Sequence, residues 1–193
     1  GIGLFLVDTN QITSRSYNTI DGYRAAELNY DNVNAELLCK DDLALECIIK
    51  ANSAGALALS AEAVGIMQVC FDLTLDYLKT RKQFGKSIGA FQSIQHRMVD
   101  MMLEIEQVKS AVMLASSTFE INSSTRDKNI SAAKNLVGRV GKLIAEESIQ
   151  LHGGIAMTWE YSVAHYAKRL IMIDHLMGDE EYHRDRFKLL SSI

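Results

Sequence analysis

Ser93-Ile94-Gln95-His96-Arg97-Met98-Val99-Asp100-Met101-Met102-Leu103-Glu104-Ile105, continued through Val108 and Val112 to Ala115, is the stretch that decides the fold. Ile94, Met98, Met101, Ile105, Val108, Val112 and Ala115 follow one another in steps of four and three. That spacing lays one apolar stripe along an α-helix and suits near-parallel packing against other helices. The helix it predicts covers residues 90–122. Working outward, apolar periodicity predicts further helices over 42–80, 127–151 and 159–177, and a short one over 179–191. In the third, Val137, Val140, Ile144 and Leu151 line one face. Asp41-Asp42 offer an N-cap and negative charge to the first turn of the first helix. The chain has no proline, so nothing forces a helix to break. Asn122-Ser123-Ser124 is a short polar link, which favours antiparallel neighbours. The expected fold is mainly α, an up-down four-helix bundle with a short N-terminal β fragment.

Residues 2–8, Ile-Gly-Leu-Phe-Leu-Val-Asp, read as a buried strand, and residues 25–33 show the looser alternation of a half-exposed one. Asp21-Gly22 between them signals a turn. Two strands do not make a stable sheet by themselves, so their partners are expected upstream. The chain starts at Gly1 in what reads as mid-strand, and we expect a piece of a longer protein. The division expected is 1–38, the end of a β-domain, and 39–193, a helical domain.

With 193 residues, 48% of them hydrophobic, the chain is long enough and apolar enough to bury one sizeable core. Its net charge of −4 argues against nucleic acid as the main partner, because a phosphate-binding face is usually basic. Cys39, Cys47 and Cys70 lack metal-ligand spacing, and their odd number suits a reducing compartment such as a bacterial-type cytoplasm. The five histidines, His96, His152, His165, His175 and His183, have no paired spacing for zinc. Residues 1–8 are too short for a signal peptide and no basic region precedes them. Leu43 to Leu78 is long enough to span a bilayer, but Glu46, Lys50, Asn52, Glu62 and Asp72 interrupt it, so no membrane span is expected. Ala51, Ser53, Ala54, Gly55, Ala56, Ala58, Ser60, Ala61 and Ala63 leave this helix little bulk. We read it as a tightly packed central helix; the alternative is a ligand or another chain lying against it.

Two glycine-ended stretches stand out from the core. Arg81-Lys82-Gln83-Phe84-Gly85 follows the first helix, and Phe91-Gln92 opens the second. A guanidinium there can fork onto a phosphate, Phe84 can face a ring, and Gln92 and Gln95 sit where free helix N–H groups converge. The plain alternative is a solvated basic loop with Phe84 as its plug. Gln150-Leu151-His152-Gly153-Gly154 ends the third helix, where a double glycine is commonly a C-cap. Glycine also admits a ligand close to the backbone, and a loop with apolar and aromatic residues follows, Ile155-Ala156-Met157-Thr158-Trp159-Glu160-Tyr161.

The run from Thr80 through Arg81-Lys82-Gln83-Phe84-Gly85-Lys86-Ser87-Ile88-Gly89-Ala90-Phe91-Gln92 to His96 resembles the signature of the acyl-CoA dehydrogenase family. So does the run from Ala145 to Gly154, in the family's order and at about its spacing. The resemblance covers nearly the whole chain and implies the family's C-terminal helical domain preceded by the last strands of its middle β-domain. It implies FAD as cofactor and an acyl-CoA thioester desaturated between Cα and Cβ, with electrons passed to an electron-transfer acceptor. It also implies a homo- or hetero-oligomer built through the bundle. Arg81, Phe84 and Gln92 would meet FAD held mainly by a neighbouring subunit, and Gln150, Gly153 and Gly154 would approach the same cofactor.

The family's catalytic glutamate is not found. Its two usual positions fall on Met177, after the fourth helix, and on Gly55, in the first; Ala56 stands where many members carry an arginine. Neither Gly55 nor Met177 can take a proton. Glu46 and Glu62 are about two turns from Gly55, roughly ten ångströms or more, and a base must reach hydrogen-bonding distance. Glu160, Asp179, Glu180 and Glu181 remain as carboxylates, with surface or helix N-terminal charge as their plain reading. The expectation is a FAD-dependent acyl-CoA dehydrogenase. The alternative is a non-catalytic FAD-binding subunit of a hetero-oligomer whose partner supplies the glutamate.

Overall fold

The computed structural model describes residues 1–192. Contacts divide the chain into two units, Gly1–Asn52 and Ser53 onward. The first holds β1 (Gly3–Val7), β2 (Thr13–Asn18), β3 (Arg24–Asn29), β4 (Ala35–Lys40) and the start of α1 (Asp41–Thr80). β1 pairs antiparallel with β4, from Gly3 opposite Lys40 to Val7 opposite Ala35, with a bulge at Leu4/Phe5. β2 pairs antiparallel with β3, from Thr13 opposite Asn29 to Asn18 opposite Arg24. The Asp21-Gly22 turn joins them, with Gly22 at φ 85°.

Two expectations change here. The strands have partners inside the chain that the sequence did not reveal. β2, Thr-Ser-Arg-Ser-Tyr-Asn, has no apolar alternation to betray it, and Ala35–Lys40 is easily taken for the approach to α1. The strand at residues 2–8 is also not buried: Phe5 and Leu6 are more than half exposed. A two-stranded ribbon leaves both faces open, whatever its composition.

In the second unit, α1 is followed by a small hairpin of β5 (Lys82–Gln83) and β6 (Lys86–Ser87). Then come α2 (Gln92–Ser117), α3 (Ser123–His152), α4 (Ser162–Asp174) and α5 (Glu180–Ser191). The stripe that opened the reading packs as expected, with Met98, Met101, Ile105, Val108, Val112 and Ala115 buried. Along α1 the buried seam is Ser53, Ala56, Ser60, Ala63, Met67, Cys70, Thr74 and Leu78, again in steps of three and four. Small side chains let a neighbouring helix approach closely. The hydroxyls of Ser60 and Thr74 are satisfied by the carbonyls of Ala56 and Cys70 one turn back, at 2.7 and 2.6 Å. This face of α1 is core, in line with the favoured reading; Ala51, Ala54, Ala58 and Ala61 of the same small-residue run are exposed. Although α1 is long and apolar enough to cross a bilayer by length and composition, this seam and two polar ties to α3 and α4 fasten it into the bundle.

The helix directions follow from contacts. Ser53 Oγ donates to Asp127 Oδ1 at 2.9 Å, Gly141 faces Met67, and Tyr77 stacks on His152, so α1 and α3 run parallel in constant register. Arg97 pairs with Glu147 and Arg139 with Glu104, which makes α2 antiparallel to α3. Glu62 holds Arg169 through two hydrogen bonds of 2.6 and 2.9 Å, and Lys134 reaches Ile173, which orients α4 antiparallel to both. The result is the up-down four-helix bundle. α5 packs on α3, tied by Arg186 to Asp127 at 3.0 Å.

Helix ends differ from the periodicity reading. α2 stops at Ser117, where Thr118 leaves helical geometry at φ −102° and ψ 3°. α3 starts earlier than expected, since Asn122 caps it by accepting from Thr125 N at 2.8 Å. α4 is shorter than residues 159–177, because the chain leaves it for the left-handed residues Met177 and Gly178.

Candidate functional site

The β5–β6 hairpin turns on Phe84 and Gly85, at φ 54° and 80°. Two consecutive positive φ values match the right-handed twist of a tight hairpin, but a bulky residue in that region is uncommon and strained. Phe84 is 89% exposed. It is therefore no plug: the turn presents the ring to the outside, with only an edge contact to Phe91 at 6.1 Å. Lys86 lies 4.2 Å over the Phe91 ring. Arg81 is fixed through its backbone, donating to Tyr77 O at 2.8 Å and accepting from Ile88 N at 2.9 Å. Its exposed guanidinium has no hydrogen-bond or ion partner among the described residues, nor have the side-chain amides of Gln92 and Gln150. Gln95 is engaged, donating to Gly89 O at 3.0 Å.

The second stretch ends α3. Gly153 is its C-cap, donating to Ile149 O, with φ 69° and ψ −150°. That region is in practice open to glycine alone. Gly154 has no such φ, and a methyl group on it would meet nothing within 4 Å. Beyond it, Ile155, Met157 and Trp159 are exposed; Trp159 is flanked by His165 and by the Lys168 ammonium, 4.3 Å from its ring.

An aromatic cluster joins the two stretches. His152 is buried and stacks on Tyr77 at 4.6 Å, while Tyr161 meets both rings edge-on at 5.1 and 6.3 Å. His152 Nδ1 bonds to Ser148 O at 2.7 Å, which makes it the donor nitrogen. Burial holds the imidazole below its ordinary value. His152 thus orders the end of α3, and through Tyr77 it ties that end to the turn bearing Arg81. The sequence reading missed Tyr77 and placed Tyr161 only as part of the loop after the glycines. The signal available for Tyr77 was an aromatic residue one turn before a motif arginine.

Gly55 and Met177 also come together. A methyl group on Gly55 would lie 3.2 to 3.4 Å from Met177 Cε, Cγ and Sδ, so the thioether covers the glycine. Met177 is at φ 57° and half exposed. Positions 122 residues apart in sequence are thus one place, and it is apolar. It lies far from the aromatic cluster: Tyr77 is 22 residues beyond Gly55, about 33 Å along the α1 axis.

Of the carboxylates considered as bases, Glu62, Asp179 and Glu181 have side-chain partners, while Glu46 lies exposed near the N-terminal end of α1. Glu62 is committed to Arg169. Asp179 caps α5 by accepting from Tyr182 N at 2.8 Å, and Glu181 lies within 3.7 Å of Arg184 on the surface. Glu180 is held through its backbone by Asp174 and Asn135. Glu160 is exposed. Among the described residues no three His, Cys, Asp or Glu side chains group as a metal site.

Exposed cationic and amide donors, a presented aromatic face and an open glycine backbone at one end of the bundle fit an anionic ligand with planar rings. Residues 45–188 match the family model of the acyl-CoA dehydrogenase C-terminal domain. The chain is 36% identical over 123 residues to acyl-CoA dehydrogenase IpdE2 of Mycolicibacterium smegmatis, covering 64% of this chain and 38% of that protein. Its fold superposes on a variant of the Tcur3481-Tcur3483 steroid ACAD with a TM-score of 0.89 and 27% identity, over 98% of this chain and 52% of that one. The ChsE4-ChsE5 complex from Mycobacterium tuberculosis shares the fold, with a TM-score of 0.89 at 17% identity over 98% of this chain and 52% of that one. The chain spans about half the length of such solved structures, and less of the curated relatives it matches.

Proposed function

This chain belongs to the acyl-CoA dehydrogenase family, of which it carries the C-terminal helical domain, and we propose that the full-length protein binds FAD and takes part in α,β-dehydrogenation of an acyl-CoA thioester. One observation carries this reading: the Tyr77–His152–Tyr161 cluster gathers Arg81 and the Gly153-Gly154 backbone at one end of the bundle. Arg81 offers a forked cation to a phosphate, Phe84 and Gln92 offer a ring face and an amide, and Gln150, Gly153 and Gly154 offer an amide and an accessible backbone. FAD, when bound, supplies the acceptor for the hydride leaving Cβ. The eventual electron acceptor would be a separate electron-transfer partner.

The separation of the two sites supports an oligomer. The Gly55–Met177 position is about 33 Å along α1 from the aromatic cluster, and a base acts only within hydrogen-bonding reach of its proton. An arrangement in which one subunit's hairpin and glycine turn reach the cofactor that serves another subunit removes the need for one ligand to touch both ends.

A second reading is favoured by the Gly55–Met177 contact itself. Both positions are apolar and they face each other, so neither can take the Cα proton. On this reading the chain is a FAD-binding subunit whose related partner supplies the glutamate. The likeness to the Tcur3481-Tcur3483 steroid ACAD supports a bulky acyl group and a two-protein assembly. One experiment separates the readings. The full-length protein is purified alone and together with a related dehydrogenase chain encoded nearby, and flavin absorbance and acyl-CoA oxidation are measured for both. Flavin with activity alone supports a self-sufficient dehydrogenase, and flavin with activity only in the mixture supports the hetero-oligomer. Absence of the flavin band in both would sink the proposal.

A further inference from the structure

The turn between α4 and α5 carries residue 177, and its backbone is held from outside. After Asp174 it passes through two left-handed residues, Met177 at φ 57° and Gly178 at φ 95°. Gly178 is obligatory for a second reason, since a methyl group there would run into Tyr182 and His183. A methionine in this region is strained, so the surroundings must over-determine it.

Lys134 supplies that constraint. It is 0% exposed, deep in α3. Its ammonium donates to Ile173 O at 2.9 Å, Asp174 O at 3.2 Å and Gly178 O at 2.8 Å. All three hydrogens are used, on carbonyls before and after Met177. Two of those carbonyls close α4, where helix geometry leaves acceptors orphaned and the dipole negative. His183, also buried, bonds through Nε2 to Met177 O at 2.9 Å. Asp174 Oδ1 accepts from Glu180 N at 3.0 Å and closes the turn from the α5 side. None of these bonds touches the Met177 side chain, which is left to project over Gly55.

We propose that Lys134 is a positioning residue: its ammonium, seconded by His183, locks the 174–178 turn so that whatever side chain stands at 177 is held against residue 55. A buried ammonium is an expensive way to fill space, and an apolar residue of similar volume would serve general stability as well or better. Burial pushes the ammonium's pKa down, while Asp174 and Asp179 oppose that. What the lysine adds over an apolar residue is one conformation of the turn. The proposal takes its functional meaning from the reading of 55 and 177 as the place a catalytic base would occupy.

The test reads position, not turnover. Gly55→Cys and Met177→Cys are combined in the full-length protein, with Cys39, Cys47 and Cys70 replaced by serine. Met177 Cγ lies 3.3 Å from where a Cβ on residue 55 would stand, close to what a disulfide needs. Rapid cross-linking by diamide is expected. Adding Lys134→Met should slow it by about tenfold or more, because three charge-assisted hydrogen bonds are lost. Helical circular dichroism should stay unchanged. If Lys134→Met does not fold, Lys134→Gln, which keeps an amide donor, should fold and slow the reaction to a lesser degree. An unchanged cross-linking rate in whichever variant folds, or no cross-link with Lys134 in place, overturns the proposal. The readout involves no flavin, so a protein that proves flavin-free would refute the functional reading and leave this test standing.

Discussion

Gly153 and Gly154 are adjacent, yet an alanine should behave differently at each, and the difference isolates the ligand from the fold. Gly153 sits at φ 69° and ψ −150°, where a side chain is strained although no atom lies within 4 Å of the added carbon. The penalty for Gly153→Ala is then torsional, about 1–3 kcal/mol, and it falls on stability whether or not anything binds. Gly154 has an ordinary φ, and its added carbon also meets nothing. Gly154→Ala should leave the free protein unchanged or stabilise it by about 0.4–1 kcal/mol through the unfolded chain. If the cofactor approaches this backbone, the same methyl group occupies the approach, and FAD affinity should fall by about tenfold or more, equivalent to about 1.4 kcal/mol. The assay pairs thermal unfolding of the flavin-free full-length protein with FAD titration by flavin fluorescence. Expected is a lowered Tm for Gly153→Ala, and an unlowered Tm with weakened FAD binding for Gly154→Ala. FAD affinity unchanged in Gly154→Ala would refute the reasoning that puts the cofactor against this turn.

Three further outcomes follow from the same geometry. Arg81→Ala should weaken FAD binding without lowering Tm, since the guanidinium has no partner among the described residues, and Arg81→Lys should recover only part of the loss because a point charge lacks the fork; equal retention in all three proteins would remove Arg81 from the site. Asp127 is buried and accepts from Ser53, Arg126 and Arg186 at 2.9, 2.8 and 3.0 Å. Asp127→Ala strands buried positive charge and should lower unfolding free energy by about 3–5 kcal/mol in urea denaturation; a loss under about 1 kcal/mol would mean that the arginines find water instead. Burial holds both His152 and His183 below the ordinary imidazole value, with Lys134 and Arg186 adding to the effect at His183 and a bond to Met177 O opposing it. The unfolded chain therefore binds more protons in the window just below pH about 6.5, so this stability is present above that pH and lost as pH falls through it. Tm measured from pH 7.5 down to 5 should decline, and His152→Gln should flatten part of that decline; an identical acid limb would assign it elsewhere.

Periodic features were legible because burial imposes a period. The α2 stripe from Met98 to Ala115 and the small seam of α1 read directly as core faces. β2 was not legible, because Thr13–Asn18 is exposed throughout and nothing constrains its polarity pattern. Arg81, Phe84, Gln92, Gln150, Gly153 and Gly154 were legible as residue types suited to an anionic, ringed ligand. The rings that bring the two stretches together were not, since Tyr77, His152 and Tyr161 meet only once α1 and α3 are packed in register. Lys134 left a trace that went unread. Ile130, Ala133, Val137, Val140 and Gly141 form the buried face of α3, and Lys134 takes one of its slots. A lysine in an apolar face asks for acceptors, and the nearest unsatisfied ones are at a helix C-terminus.

The contact of Met177 with Gly55 changes the weight of the missing glutamate. In the sequence the two alternative positions for one base, Gly55 and Met177, stand far apart. In the structure they share one volume, and the thioether fills what glycine leaves open. A carboxylate from either position would enter the same space, and a side chain larger than glycine at 55 would press on Met177. The turn bearing 177 meanwhile keeps a buried ammonium, a buried imidazole and a glycine that tolerates no methyl group. A surface turn with no task to perform does not require such fixation, since a loop free to relax avoids both the strain at Met177 and the desolvation of Lys134. The retained scaffold and the absent proton acceptor are reconciled when residue 177 shapes the site while a carboxylate from another chain acts in it. That is the arrangement the mixed-subunit purification would reveal.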